Sequence, residues 1–417
     1  MKDLVKNSTI MLSGNTLAQI ISLAIYPVLS RLYSTDDFGL LNLFLSIAGV
    51  LVLFATAEYQ DAILLPNDDN KASACFQTGF ACTIVITLLC FFSLLFSHNI
   101  ATAFNAPLLA DIYYLLPFYV FFSALWMLIS HWFYRKKEFV RISGYTLTQS
   151  VFNASAKSAF GILGNTAYGM IISMTIAPFI AFAGCLSKNI RKVLSPLFNV
   201  NKTDCISMAK EYSNFPKYSL PRSIGNNFSG SLPVFLLTPF FSLSEIGIYG
   251  MALTLAFKPI NLFNSSVHGV LYQRFSEKVS SNEPLMPILS YFTKMATFIV
   301  VPVFAVLYFF LPWLAAVILG EEWRESGEYI RIMLPWLAIL VVLGSVHFIP
   351  NLFNRQKGLL LFEIAYFVLR IAALTVGILQ NDFKLAIVLF FSVSAFVLFA
   401  QLIWMFILIR NHDRVVS

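Results

Sequence analysis

Four cations, Lys157, Arg222, Lys258 and Arg370, stand within stretches that are otherwise long and apolar enough to cross a lipid bilayer. A charge at bilayer depth costs about 2.5–3.5 kcal/mol on insertion scales, so such residues face an internal cavity or a partner rather than lipid. Few acids share these stretches, and cations of one sign point to a path for something anionic. Three acids, Glu58, Asp61 and Glu363, fall near span ends, where they can pair structurally or carry a coupling H+ or Na+. Glu58 and Asp61 are three apart, which puts them on one helical face and suits either role. Glu363 lies seven residues before Arg370, nearly on the same face, and is a candidate structural partner for it.

The elements that must hold these groups are membrane helices. The chain is 58% hydrophobic and 12% charged, with a mean hydropathy of +0.76. Soluble domains carry about 25% charged residues. The 42 phenylalanines fit lipid-facing helices, and the ten-residue alternating pattern of a β-barrel is missing. The fold class is therefore an all-α polytopic membrane protein. Five scattered cysteines with no CxxC read as small packing residues, with no disulfide framework and no metal site. None of His98, His131, His268, His347 and His412 begins an acyltransferase-like HxxxxD. With no nucleophile constellation, P-loop or metal motif either, the sequence implies no catalytic residue, no cofactor and no enzyme. The net charge of +7 reports loop bias in a membrane protein, not nucleic-acid binding.

Twelve segments are long enough to span: 8–31, 39–63, 74–96, 109–133, 142–163, 167–186, 216–240, 244–268, 291–311, 328–351, 359–379 and 384–409. The basic start, with Lys2 and Lys6, leads into an apolar run too long for a signal peptide, so it reads as an uncleaved first span. Segment five holds Gln149, Asn153 and Lys157, and segment seven holds Arg222, Asn226 and Asn227. Helices this polar line an aqueous interior. About twenty of the 28 cations fall on the side of both termini and about four on the other, which makes the termini cytoplasmic. At about 1.5 Å per residue, Arg370 lies near mid-bilayer, Lys157 in the outer half, and Arg222 and Lys258 nearer the cytoplasm. Snorkelling to the interface is the alternative for the last two. Pro27, Pro117, Pro178, Pro233, Pro259, Pro302 and Pro335 lie in or near spans, where they kink helices or act as hinges.

The two halves echo each other. Ser13-Gly14-Asn15, Pro27 and Tyr33-Ser34-Thr35-Asp36-Asp37-Phe38-Gly39-Leu40 return as Ile224-Gly225-Asn226, Pro239 and Phe241-Ser242-Leu243-Ser244-Glu245-Ile246-Gly247-Ile248, at an offset that drifts from 211 to 208 residues. Six spans per half give a parallel repeat about a pseudo-two-fold along the membrane normal. The expected domains are an N-terminal six-helix bundle at 1–186, a cytoplasmic linker loop at 187–215 and a C-terminal six-helix bundle at 216–417. A short amphipathic stretch near Cys205–Tyr212 is expected at the cytoplasmic surface.

Several segments resemble the Wzx-type O-antigen flippases of the polysaccharide-transporter branch, within the superfamily that also holds multidrug and toxin extruders. They are Pro27 to Gly39, Glu58-Tyr59-Gln60-Asp61-Ala62-Ile63-Leu64-Leu65-Pro66, Phe215-Pro216-Lys217-Tyr218-Ser219-Leu220-Pro221, and Gly247-Ile248-Tyr249-Gly250 through Lys258-Pro259 to Glu277. The resemblance implies transfer of undecaprenyl-pyrophosphate-linked oligosaccharide repeat units, as in lipopolysaccharide biosynthesis, across the bacterial inner membrane through a cationic central cavity. It implies membrane lipids and other polysaccharide-assembly proteins as partners. For such a substrate, arginine pairs phosphate oxygens bidentately and lysine acts as a point charge. Gln149, Asn153, Asn226 and Asn227 then serve the sugars. The alternative is a cation-coupled multidrug extruder of the same superfamily, which would want a cavity of acids and aromatics for cationic drugs.

Overall fold

The computed structural model describes residues 14–164, 166–186, 202–281, 283–353 and 355–416. Lys2, Lys6, the start of the first expected span and most of the 187–215 loop lie outside the described residues. Every regular element among the described residues is helical.

In chain order these are residues 14–24 (α1), Tyr26–Leu32 (α2), Thr35–Thr56 (α3), Tyr59–Ala62 (α4), Asp69–Ser93 (α5), Ser97–Ala103 (α6), Leu108–Ile112 (α7), Leu116–Arg135 (α8), Phe139–Ile162 (α9) and Ala167–Leu186 (α10). There follow Lys202–Glu211 (α11), Leu220–Leu237 (α12), Leu243–Ser280 (α13), Met286–Leu319 (α14), Arg324–Val346 (α15), Ile349–Leu352 (α16), Gln356–Leu379 (α17) and Phe383–Val416 (α18).

Among the described residues nine helical stretches are long and apolar enough to cross a membrane: Thr35–Thr56, Asp69–Ala103, Leu108–Arg135, Ala167–Gly184, Leu243–Val279, Met286–Leu319, Glu321–Leu352, Gln356–Leu379 and Phe383–Arg414. The protein is thus an all-α, multi-span membrane protein. The twelve expected spans exceed these nine by the first, fifth and seventh. The first begins in residues that are not described. The other two are the helices α9 and α12, long enough but too rich in amides, hydroxyls and charge.

Prolines fall into two sets. Pro27 and Pro117 sit in the first turns of α2 and α8, where a missing N–H costs nothing. Pro178, Pro233, Pro259, Pro302 and Pro335 lie inside continuous helices. None of these five ends its helix.

The chain divides into two compact units, Met1–Gly247 and Ile248–Ser417, with the boundary inside α13. In the first unit α3 is central, packing on α5, α8, α10 and α12. Ser34 caps α3: its Oγ accepts from the Asp37 N–H at 3.2 Å, and the Asp37 carboxylate accepts from the Ser34 N–H at 3.0 Å. The other Asp37 oxygen accepts from the Ala167 N–H at 2.7 Å and so caps α10 as well. An apolar cluster of Tyr59, Phe76, Leu128, Trp132, Phe133 and Met208 closes one end of this unit. Met208 belongs to α11, so the amphipathic stretch expected near Cys205–Tyr212 is a helix packed on α5. Its backbone is tied in twice, by Tyr59 Oη to the Ala209 carbonyl and by Thr78 Oγ1 to the Cys205 carbonyl.

In the second unit α14 packs on α15, α15 on α18, and α17 on α18. Only 6% of the apolar stretch of α14 is buried, against 61% of the following one, so α14 is the lipid-facing wall and α15 the core. The start of α14 is held by the far end of the unit's last helix. The Asp413 carboxylate accepts from the Leu285 and Met286 N–H groups at 2.9 and 2.7 Å. A carboxylate there satisfies two free donors and complements the helix dipole, which is worth about 1–2 kcal/mol. Asp413→Ala should destabilise the detergent-solubilised protein by that much, read as a lower thermal midpoint, and Asp413→Asn by less. Equal midpoints for wild type and Asp413→Ala would show that this cap carries nothing.

Candidate functional site

The candidate site residues divide between the units, and each group is set by its own helix. In the first unit, Gln149, Asn153 and Lys157 follow at intervals of four on α9. That spacing stacks them along one face, and all three are half-buried. Packing residues flank this stripe in its own row, and the opposite side of α9, with Gly144, Thr148, Val151 and Ser155, is exposed. Gly161 lies against Leu32 and Tyr33, Tyr145 is buried, and Ser143 touches Gly14. Tyr33 Oη donates to the Lys157 carbonyl at 2.7 Å and fixes that turn of α9 against α2.

On α12, Arg222 and Asn226 are four apart and exposed. Gly225 and Gly230 have no neighbour within 4 Å of where a Cβ would stand, so this face is open. Asn227 is also exposed and borders α3, where a Cβ at Gly49 would meet its Oδ1 at 3.4 Å. On α12 Arg222 and Asn226 thus lie on an open side, whereas on α9 the stripe lies between packed residues and Asn153 Oδ1 is buried.

The acids are arranged differently from the helical-face expectation. Ala57 and Glu58 take left-handed conformations, with φ of 49° and 62°, and end α3. Glu58 is therefore outside any helix and does not share a face with Asp61. Its side chain is buried and accepts from Gln60 Nε2 at 2.8 Å. Asp61 is exposed and lies 3.1 Å from His131 Nε2. His131 Nδ1 is 2.8 Å from the Met127 carbonyl. The partners Gln60 and His131 gave no signal in the sequence, because the break in the helix at Ala57 and Glu58 could not be read there.

In the second unit Arg370 is enclosed, at 5% exposure. Its guanidinium carbon lies 4.0 Å from the Tyr366 ring centre and 4.1 Å from that of Phe390. Its Nε donates to Ser394 Oγ at 2.8 Å, and Ser394 donates in turn to the Phe390 carbonyl. Tyr366 Oη accepts from Trp336 Nε1 at 3.2 Å, which extends the aromatic wall. A guanidinium between two rings gains cation–π attraction that grows as water is excluded. In this conformation Arg370 offers no open face. Lys258 is half-buried on α13 beside Pro259, and Glu363 is half-buried on α17. Among the described residues no group of three or more His, Cys, Asp or Glu is placed to hold a metal ion.

Comparisons with known proteins agree with this architecture. Residues 28–328 match a family described as "Polysaccharide biosynthesis protein". The succinoglycan biosynthesis transport protein ExoT of Rhizobium meliloti (strain 1021) is 20% identical over 342 residues, 81% of this chain and 66% of its own length. The chain thus spans slightly less than two thirds of that relative. Among solved structures, the lipid II flippase MurJ in an inward closed conformation aligns with a TM-score of 0.71 at 12% identity, over 97% of this chain and 90% of its own. An inward-facing multidrug resistance MATE family transporter of the MOP superfamily aligns with a TM-score of 0.66 at 14% identity, over 98% and 99%. The fold is thus one that solved membrane transporters share. With well over half of its length matched, the chain belongs to the family of polysaccharide biosynthesis proteins.

Proposed function

We propose that the protein moves an undecaprenyl-pyrophosphate-linked oligosaccharide repeat unit from the cytoplasmic to the periplasmic leaflet of a bacterial inner membrane by alternating access. In this reading it has twelve spans in two six-helix halves, and both termini are cytoplasmic. The observation that carries it is the pair of polar stripes: Gln149, Asn153 and Lys157 on α9, and Arg222 with Asn226 on α12. They join cations to amides in a chain whose family is one of polysaccharide biosynthesis. An unpaired polar group costs several kcal/mol in hydrocarbon, so neither the pyrophosphate nor the sugar crosses unaided. Lys157 and Arg222 would hold the phosphates, and the amides the hydroxyls. Arg370 would act here as a packing element. Lys258 remains a candidate cation, and Glu58, Asp61 and Glu363 are candidates for structural pairing or for carrying a coupling ion.

A second reading, a cation-coupled multidrug extruder, is favoured by the fold likeness taken alone, since a multidrug transporter is matched over nearly the whole of both chains. Reconstituted proteoliposomes separate the two. With a defined lipid-linked oligosaccharide, wild type should translocate it. Lys157→Gln and Arg222→Gln should each slow translocation about tenfold or more at unchanged protein level, since a hydrogen bond to a charged group is worth about 1.5–3 kcal/mol. Efflux of a cationic dye with no oligosaccharide movement would establish the extruder instead.

A further inference from the structure

One hydrogen-bond pattern in the first unit is complete only with an added proton. His131 stands near the end of α8, with its Nδ1 2.8 Å from the Met127 carbonyl oxygen and 3.5 Å from Ser130 Oγ. Ser130 Oγ donates its own hydrogen to that same carbonyl, at 2.8 Å. Neither neighbour can then donate to Nδ1, so Nδ1 carries a hydrogen and is the donor. The other ring nitrogen, Nε2, lies 3.1 Å from Asp61 Oδ1. In a neutral imidazole with Nδ1–H, Nε2 is an acceptor, and an ionised carboxylate only accepts. Two acceptors would then face each other. The opposite tautomer merely moves the conflict to the Met127 carbonyl. The pattern is satisfied when one further proton lies between Nε2 and Oδ1, and that proton belongs to the pair rather than to either residue.

The bond joins α4 to α8. α4 is a single turn that follows the two left-handed residues Ala57 and Glu58. Its inner face is apolar: Tyr59, Ala62 and the next residue, Ile63, are buried in one cluster with Cys75, Leu128 and Met208. A methyl group on Gly79 would stand 3.3 Å from Tyr59 Cβ, so the turn rests on α5 one helical turn beyond Cys75. Tyr59 Oη also donates to the Ala209 carbonyl and so ties down α11. The outer face carries Asp61, whose side chain is 51% exposed, against 21% for that of His131. An exchangeable proton thus sits on the outside of a turn whose inside covers a buried thiol and holds a docked helix. All of these residues belong to the first unit.

The other charged and titratable groups at this end are mostly bound elsewhere. α4 packs on α5, on α8 and on the turn Phe215–Ser219. Glu58, just before α4, is buried and accepts from Gln60 Nε2. On α5, Asp69 is held by Arg135 and Lys136, Lys71 is exposed, and Cys75 and Cys82 are free thiols. On α8, Tyr134 meets the His131 ring edge-on at 5.7 Å, and Arg135 is turned to the carbonyls of Ile63, Pro66 and Asn67. Arg141 of α9 pairs with Glu138. Lys217 and Tyr218 of the 215–219 turn are exposed, as are Lys210 and Glu211 of α11.

We propose that Asp61 and His131 form one proton-binding site whose proton latches the α4 turn to α8. With the proton bound, the turn is closed over the apolar cluster. With the proton lost, the Asp61–His131 contact has no hydrogen to share. The turn then lifts more often, uncovering Cys75 and loosening α11. The closed form holds a proton that the open form need not hold, so closure is strongest at low pH and weakens as pH rises. In the proposed orientation this end faces the cytoplasm, and the latch answers to acidity there. The latch goes beyond the transport reading and does not depend on what is transported.

The test uses the full-length protein in detergent, with Cys75 kept and the other four of its five cysteines replaced. Cys75 is 0% exposed, so a maleimide reaches it only when its cover lifts. Labelling rates are read at about pH 5.5 and about pH 8, near the ends of the range in which an imidazole changes charge. Each is divided by the rate for Gln380→Cys, an exposed position, in the cysteine-free protein, which removes the ordinary pH dependence of a thiol. The ratio should rise about tenfold at the higher pH, the population change that losing one hydrogen bond to a charged group allows. Asp61→Asn should label slowly at both pH values, because an amide can turn to accept from His131 or to donate to it. Asp61→Ala should label fast at both. His131→Gln should also lose the pH dependence, since its amide donates at either pH. A wild-type ratio that ignores pH overturns the latch. So does a pH response that survives in Asp61→Asn or in His131→Gln. These two keep the size and polarity of the side chains they replace, so the test stands on them if Asp61→Ala does not accumulate. The readout needs no substrate, and failure of the oligosaccharide assay leaves it untouched.

Discussion

Arg370→Ala is expected to cost the protein its second unit, and Arg370→Met is not. Truncation to alanine empties the space between Tyr366 and Phe390, and large-to-small changes in a packed core cost about 3–5 kcal/mol. Most folded domains hold only about 5–15 kcal/mol in reserve, so the alanine variant should fail to accumulate in membranes. Methionine fills a similar length with a flexible apolar chain and makes favourable sulfur–aromatic contacts. It also removes the cost of burying a charge, and replacing a buried ion by an apolar residue of similar volume is often neutral. Arg370→Met should therefore accumulate at the wild-type level and transport at close to the wild-type rate. Lysine should fall between, because it keeps the charge but loses the planar stack and the directed bond to Ser394. Size-exclusion profiles and melting of fluorescently tagged protein measure the first effect, and proteoliposome transport the second. Full accumulation of Arg370→Met with transport lost would return Arg370 to the substrate path.

This residue also shows where sequence reasoning stops. That Arg370 is a charge at mid-span was legible, because hydropathy and helix rise locate it. Its surroundings were not. Ser394 is 24 residues away on the next helix, and Trp336, which props Tyr366, is 34 away on α15. Nothing in a single sequence pairs those positions. The long apolar helices were legible for the opposite reason, since a bilayer imposes their length and composition locally. The polar helices α9 and α12 were legible as helices by their length, and their polarity keeps them out of the nine apolar stretches. The stripe of Gln149, Asn153 and Lys157 is a matter of spacing alone and stood in the sequence.

Local signals worked best where a motif satisfies its own backbone. The two capping boxes at Ser34 and Ser242 are four-residue patterns, and both form. They failed where one residue changes the chain's direction. Glu58 and Asp61 share a helical face only if the helix continues, and it ends at Ala57 with two left-handed residues that carry side chains. Each such residue costs on the order of 1–2 kcal/mol, and no propensity scale would place one here.

Strained backbone persists only where its surroundings over-determine it, and the loop that follows this turn is anchored by Arg135. Its side chain is 12% exposed, against 59% for its ion-pair partner Asp69. The guanidinium donates to three carbonyls of one loop: Ile63 at 3.2 Å, Pro66 at 2.6 Å and Asn67 at 3.2 Å. It reaches Asp69 at 3.0 Å as well, and Lys136 holds the second Asp69 oxygen. Arg135→Ala should therefore destabilise the first unit by about 2–4 kcal/mol, because carbonyls of the buried residues Ile63 and Pro66 lose their donors at about 1–3 kcal/mol each. Asp69→Ala should cost under about 1 kcal/mol, as an exposed ion pair does. The two variants thus separate a carbonyl clamp from a salt bridge, and melting of the purified proteins reads the difference. Equal losses would make Asp69 the anchor. A large loss in Arg135→Ala alone, with α11 released from α5 to limited proteolysis, would show that one arginine holds both this loop and the apolar cluster against which α11 packs.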